Sequence, residues 1–235
     1  MNNLAELRRE VKSLADPKRA EASARYFKTG PGEYGEGDKF IGLNVPQQRS
    51  IAKKFQELSL ADIAKLLKSR IHEERFIALE ILVMQFEKAG EKLQKQIANF
   101  YLKNTKHINN WDLVDTSAPY ILGEYLVTRP RKILTKLARS RILWERRIAI
   151  IAAMSFINRN DFTDTLRIAG ILLNDEHDLI HKAVGWQIRE VGNKDKKILR
   201  KFLKKHYQSM PRTMLRYAIE KFPEPERQRY LKGQA

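Results

Sequence analysis

Three stretches of this chain read alike: ERFIALEIL (74–82), ERRIAIIAA (145–153) and HKAVGWQIR (181–189). Each sets a basic or polar pair ahead of an apolar helical run. Arg75, Asp112, Arg147 and Lys182 are spaced by 37, 35 and 35 residues, and Arg212 follows after 30. A period of roughly 30–45 residues with two helices per repeat is the signature of an α-solenoid. Its helix pairs stack, and its second helices line one concave surface. A helical bundle with an accidental period is the competing arrangement.

Apolar residues recur at helical spacing almost everywhere. VPQQRSIAKKFQELS places Pro46 where a first helical turn tolerates it. SLADIAKLLKS opens with Ser59, an N-cap type. Further helices are expected over about 71–89, 91–104, 110–128, 131–139, 143–158, 162–173, 177–192, 195–208 and 211–222. No six-residue window alternates at period two, so the class is all-α. The whole chain, 1–235, reads as a single α-solenoid domain.

One segment departs from the plan. KTGPGEYGEGDKFIG (28–42) holds five of the eleven glycines. Gly30, Gly32 and Gly35 match a dinucleotide-binding fingerprint, but no buried strand precedes them, and Glu33, Glu36 and Asp38 repel phosphate. A glycine-rich loop or hairpin insert at about 29–42 is the reading. Its part 30–40 is expected to protrude and to be dispensable for folding.

The chain carries 45 Lys and Arg against 28 Asp and Glu, a formal net charge of +17. Such a field attracts polyanions, above all nucleic acid. From His181 to Ala235 there are fifteen Lys and Arg against five Asp and Glu. KDKKILRKFLKKHY, with Lys204 and Lys205, makes a basic stripe. With no cysteine, disulfides and thiolate metal sites are excluded. No apolar run is long enough to span a bilayer, and the N-terminus does not read as a signal peptide. A cytoplasmic monomer binding duplex DNA, with no membrane contact, no cofactor and no metal, is the expectation.

Against that charge, NNWDLVDTS (109–117) stands out. Asn109 or Asn110 reads as an N-cap, which makes Asp112 a first-turn acid favoured by the helix dipole. Asp115 lies one turn beyond Trp111, on the same face. Its plain reading is a partner for one of the many arginines. The repeat suggests more, because Trp111, Arg147 and Trp186 are about one repeat apart and fall on neighbouring ridges. Indole faces attract a cation, and a carboxylate stabilises positive charge and positions water. That set suits cleavage of an N-glycosidic bond, which passes through an oxocarbenium-like state. Trp144 reads as core.

These motifs carry a resemblance. AEASARYFK (20–28), VPQQRSIAKKF, WDLVD, LWERRIAI and KAVGWQIRE, in this order, resemble the HEAT-like-repeat DNA glycosylases of the AlkD type. The resemblance implies excision of N3- and N7-alkylated purines without full base flipping. It implies that Trp111 and Trp186 wall the cationic nucleotide. By the same likeness Asp115 stabilises the oxocarbenium and places water, Arg147 holds a backbone phosphate, and Tyr26 lies near the cleft. Lys182, Arg189, Lys204, Lys205 and Arg212 complete the expected DNA-binding set. The insert departs from the family's pattern. It keeps open a non-catalytic branch of the family that binds branched or damaged DNA. His177 and His181, at i,i+4, lack a third zinc ligand. Asp112, Asp115 and Glu124 are a poor magnesium site for a nuclease.

Overall fold

The computed structural model describes residues 3–235. It is all-α: among the described residues there is no strand, only an isolated parallel bridge between Lys39 and Ile71. The chain divides into two compact units, up to Ile121 and from Leu122 onward.

The first unit holds α1 (Leu4–Ser13), α2 (Pro17–Tyr26), α3 (Val45–Lys54), α4 (Leu60–Leu67), α5 (His72–Lys88), α6 (Glu91–Lys103) and α7 (Trp111–Asp115), with a 3-10 turn at Thr105–His107. Local chemistry starts these helices. Asn3 with Glu6, and Asn44 with Gln47, form capping boxes, and Ser59 accepts the Asp62 amide at 3.1 Å. Pro17 and Pro46 sit in first turns.

Helix α5 is the axis of this unit, packed by α3, α4, α6 and α7. Every residue from His72 to Val83 is buried. A helix enclosed on all sides must find a partner for each polar side chain it carries. Glu73 accepts the amides of Ile41 and Gly42 at 3.0 and 2.8 Å. Glu74 pairs with Arg8 of α1 at 3.3 Å. Glu80 takes Arg49 of α3 at 3.3 Å and the Thr116 hydroxyl at 2.6 Å.

The expected helix over 110–128 is broken. α7 stops at Asp115, a π-helical turn covers Pro119–Gly123, and α8 (Glu124–Leu126) begins the second unit. The cause is Pro119, which has no N–H to return to the Asp115 carbonyl four residues back. The second unit continues with α9 (Lys132–Ala138), α10 (Leu143–Ile151), α11 (Met154–Ile157), α12 (Thr163–Ile171), α13 (Asp178–Lys194), α14 (Lys196–His206), α15 (Arg212–Ala218) and α16 (Glu224–Leu231). Here α13 is the axis, against α10, α11, α12, α14 and α15.

The repeat is real, with a register one residue from the sequence reading. Ser69, Ser140 and Asp175 each accept, through the side chain, the amide two residues on, at 3.1, 3.1 and 2.9 Å. Six residues after each, Arg75, Arg146 and His181 donate to that residue's carbonyl. Arg75 therefore corresponds to Arg146, not to Arg147. The same turn explains the histidine pair: His177 Nδ1 caps α13 by accepting the Leu179 amide, and His181 closes the turn.

The glycine-rich segment is anchored. Its tip is a run of turns in which Glu33 and Glu36 accept the amides of Gly30 and Gly32, at 2.8 and 2.9 Å. The acids thus satisfy their own loop. Beyond the tip, Asp38 and Phe40 enter the unit and Gly42 packs on α2. Gly42 has φ +91°, and a Cβ there would stand 2.1 Å from the Asp16 carbonyl oxygen. Dispensability for folding does not survive these contacts. Gly42→Ala is expected to lower the urea-unfolding free energy by about 3 kcal/mol, from backbone strain plus overlap. Gly32→Ala, at φ +76° with open space around it, should cost about 1 kcal/mol.

A ring-lined, acid-bearing candidate site

Helix α7 starts where Asn110 caps it, its Oδ1 accepting the Trp111 amide at 2.8 Å. The Trp111 ring then stacks on Phe27, with centroids 5.2 Å apart and planes within 18°. Phe27 stacks on Phe40 at 5.0 Å, and Phe40 on His72 at 4.5 Å. Tyr26 meets Trp111 edge-on at 6.0 Å and is 67% exposed. Trp111 itself is half-buried. Phe27 precedes the glycine-rich segment and Phe40 lies near its end, so that segment helps to build the platform under the indole.

Beneath the stack lies a buried charge cluster. His72, 2% exposed, sets Nδ1 3.0 Å from Asp38 Oδ2 and Nε2 2.8 Å from Asp112 Oδ2. Arg75 places a guanidinium nitrogen 2.6 Å from the same Asp38 oxygen. Both His72 nitrogens face carboxylates, so both donate and the ring is an imidazolium. Burial by itself makes His72 less basic. The Asp112 carboxylate, with Asp38, outweighs burial and raises the pKa to about 9. Burial likewise pushes the Asp38 carboxyl up, but His72 and Arg75 hold it below the ordinary aspartate range. Two cations and two anions leave the cluster neutral.

Asp112 is therefore more than a first-turn acid. Its Oδ1 accepts the Leu113 amide at 2.8 Å, while Oδ2 holds His72. Asp115, four residues after Trp111, is half-exposed. The neighbouring Thr116 is tied to the Glu80 carboxylate, and Ser117 to the Tyr101 hydroxyl at 3.0 Å. Burial pushes the Tyr101 hydroxyl up, and the Asp115 charge adds to it. Asp115 thus carries its charge at the margin of the unit, on a helix fixed from beneath.

In the second unit Arg147 is 5% exposed and donates to the Leu179 carbonyl at 2.7 Å. Trp144 is buried, as a core residue should be. Along α13 the half-exposed Lys182, Trp186 and Glu190 stand at successive four-residue steps on one face. Lys182 pairs with Asp178 at 2.7 Å. The Trp186 indole N–H donates to Glu190 Oε1 at 3.1 Å. Arg189 is held by Glu190 at 2.9 Å and by Glu220. Arg212 is exposed and donates to the Leu231 carbonyl at 2.6 Å. On α14, Leu199, Phe202 and Leu203 are buried, leaving Lys196, Lys197, Lys201, Lys204 and Lys205 exposed on the opposite side.

In the first unit the structure sets Tyr26 against Trp111 and carries Asp115 at the other end of the same short helix. It places Lys182, Trp186 and Arg189 on one helix of the other, with Lys204 and Lys205 on the next. Sequence reasoning missed Asp38, His72 and Glu190. Glu190 lay in plain reach, at i,i+4 from Trp186. Asp38 and His72 carried no local signal.

The molecule is an all-α helical-repeat protein, with an aromatic and acidic site on one unit and a basic helix face on the other. A sequence profile of the DNA alkylation repair enzyme family matches residues 7–222. The chain belongs to that family, which carries a role in DNA repair and DNA as partner. Among solved structures, a predicted DNA alkylation repair enzyme from Enterococcus faecalis has a similar fold, with a TM-score of 0.71 at 14% identity over 89% of this chain and 97% of that one. AlkD2 from Streptococcus mutans matches with a TM-score of 0.55 at 17% identity, over 94% and 97%. At such identities the likeness speaks for the fold alone. No significant match is found among curated proteins. No helix among the described residues is long and apolar enough to cross a membrane.

The His72 cluster gives a pH signature. A histidine made more basic by folding contributes stability that is fully present below its unfolded pKa of about 6.5. That contribution is lost as pH rises through about 9. Asp38 works oppositely, its contribution vanishing as pH falls through its depressed folded value. In urea unfolding, the advantage of the parent over His72→Gln should shrink by on the order of 3 kcal/mol between pH 6 and 10. A constant difference would mean that His72 is neutral when folded.

Proposed function

We propose that the protein is a DNA glycosylase that releases cationic N3- or N7-alkylated purines by hydrolysing the N-glycosidic bond. The observation that carries the reading is the pairing of a braced, half-buried indole with a half-exposed carboxylate one helical turn away, in a chain of net charge +17. An alkylated purine is already cationic, so it leaves as a neutral base when the glycosidic electron pair moves onto its ring. No acid is needed for that step. Positive charge develops on the sugar, where Asp115 stabilises it and orients a water. The water oxygen bonds to the anomeric carbon, and its proton passes to solvent. Trp111 attracts the cationic base by its π face, and Tyr26, edge-on to it, extends that wall; Trp186 offers an indole of the same kind on α13.

The exposed lysines of α14, with Lys182 and Arg212, serve the DNA backbone. Arg147, buried on the Leu179 carbonyl, and Arg189, held by two carboxylates, act by fixing the helices from which these contacts are made. DNA affinity should fall with salt at a slope of about 0.9 in log–log form per phosphate neutralised. Lys204→Glu combined with Lys205→Glu should flatten that slope and weaken binding to every sequence alike. Filter binding or fluorescence anisotropy at several salt concentrations measures both.

The decisive experiment is single-turnover release of N7-methylguanine or N3-methyladenine from duplex DNA. Asp115→Asn should slow release about 100-fold, as expected for one lost electrostatic contact in the transition state, and leave affinity for undamaged DNA intact. Asp112→Asn should act differently. It strands a buried imidazolium, so the folded state should lose about 3–5 kcal/mol. If the parent binds DNA but releases no base, the non-catalytic branch of the family is the correct reading.

A further inference from the structure

Helix α7 has five residues, too few to hold a shape without outside support. Its support is a closed circuit. From His72 one path runs through Asp112, next to Trp111 in the chain, into the backbone of α7 at the Leu113 amide. The other runs from His72 through the rings of Phe40 and Phe27 to the Trp111 indole, with centroid steps of 4.5, 5.0 and 5.2 Å. Asp38 closes the circuit from the glycine-rich loop, and Arg75 holds Asp38 in turn. The pose of Trp111 is thereby fixed twice, through its backbone and through its ring.

Stability alone is a poor reason for this arrangement. Well-packed apolar residues often replace a buried ion cluster at no loss, because desolvation offsets the attraction. What paired charges supply is a single geometry. We propose that the Asp38–His72–Asp112 bridge is a positioning device through which the glycine-rich loop sets the pose of α7, and with it the placement of Trp111 and Asp115. The proposal rests on the reading of those two residues as the reacting site. It assigns the loop a task that needs no contact between its acidic tip and DNA. The charged and titratable groups facing His72 are Asp38 from the loop, Asp112 from α7 and Arg75 from its own helix. Tyr26 adjoins the indole.

The test uses the full chain labelled with 5-fluorotryptophan. The chain has three tryptophans, and Trp111→Phe assigns the Trp111 fluorine resonance. In the parent that resonance should titrate with a midpoint of about 9, while those of Trp144 and Trp186 do not follow it. His72→Gln should abolish the titration, and Asp38→Asn should lower its midpoint. A parent resonance that does not titrate between pH 6.5 and 10.5, or an unchanged titration in His72→Gln, would overturn the proposal. The parent measurement needs no variant to fold. In single-turnover assays Asp38→Asn should slow base release about tenfold or more, the scale of a small misplacement of reacting groups, with undamaged-DNA affinity within about twofold of the parent. Release at the parental rate would also overturn the proposal. If the resonance titrates as expected but the parent releases no base, the bridge still positions α7 and the glycosylase reading is what fails.

Discussion

An imidazolium held between two aspartates, with an arginine completing the charge balance, is the contact on which the first unit depends. Its members come from three parts of the chain: Asp38 in the loop, His72 and Arg75 at the start of α5, and Asp112 at the start of α7. None of them tolerates burial alone, since an unpaired charge in the interior costs several kcal/mol. Loop, axis helix and α7 must therefore settle together. The ring stack laid over the cluster then inherits its precision from the ions beneath.

This resolves why so basic a chain concentrates acids here. Asp38 and Asp112 are spent on an internal cation. Glu73, Glu74 and Glu80 answer loop amides, Arg8, and Arg49 with Thr116. Glu33 and Glu36 satisfy their own turn. Asp115 stands half-exposed on the short helix that carries Trp111. The distinction between an acid tied to the buried imidazolium and a half-exposed one is invisible to a charge count. It is what separates Asp112 from Asp115, three residues apart in one short helix.

How much of this the sequence disclosed follows from range. Helix starts were legible because caps act over three residues: Ser59, Asn110 and Pro46 stand where their chemistry puts them. The repeat was legible because its unit recurs, yet its register slipped. The residue that recurs is the one bonding a carbonyl six positions back, and Arg146 and Arg147 are both arginines. The break after Asp115 was written in Pro119 and was overridden by apolar periodicity. The cluster was not legible. Asp38 and Asp112 lie 34 and 40 positions from His72, and each had a sufficient local reading, as a loop acid that repels phosphate or as a first-turn acid favoured by the helix dipole. Trp186 with Glu190 fell between these cases, a pair within one turn that the attention given to tryptophan passed over.

The start of α5 carries one more implication. His72, Glu73, Glu74 and Arg75 are consecutive, and consecutive helical residues point about 100° apart, so four of them face every direction around the axis. Each engages something different: α7 and the loop, the amides of Ile41 and Gly42, Arg8 on α1, and the Ser69 carbonyl with Asp38. A helix of uniform apolar sequence in that place would be free to turn about its axis or slide by one residue at little penalty. Here a slip of one residue would set every charge against the wrong neighbour at once. The four side chains act as a key with teeth on all sides, and they leave the axis of the unit a single way to be seated.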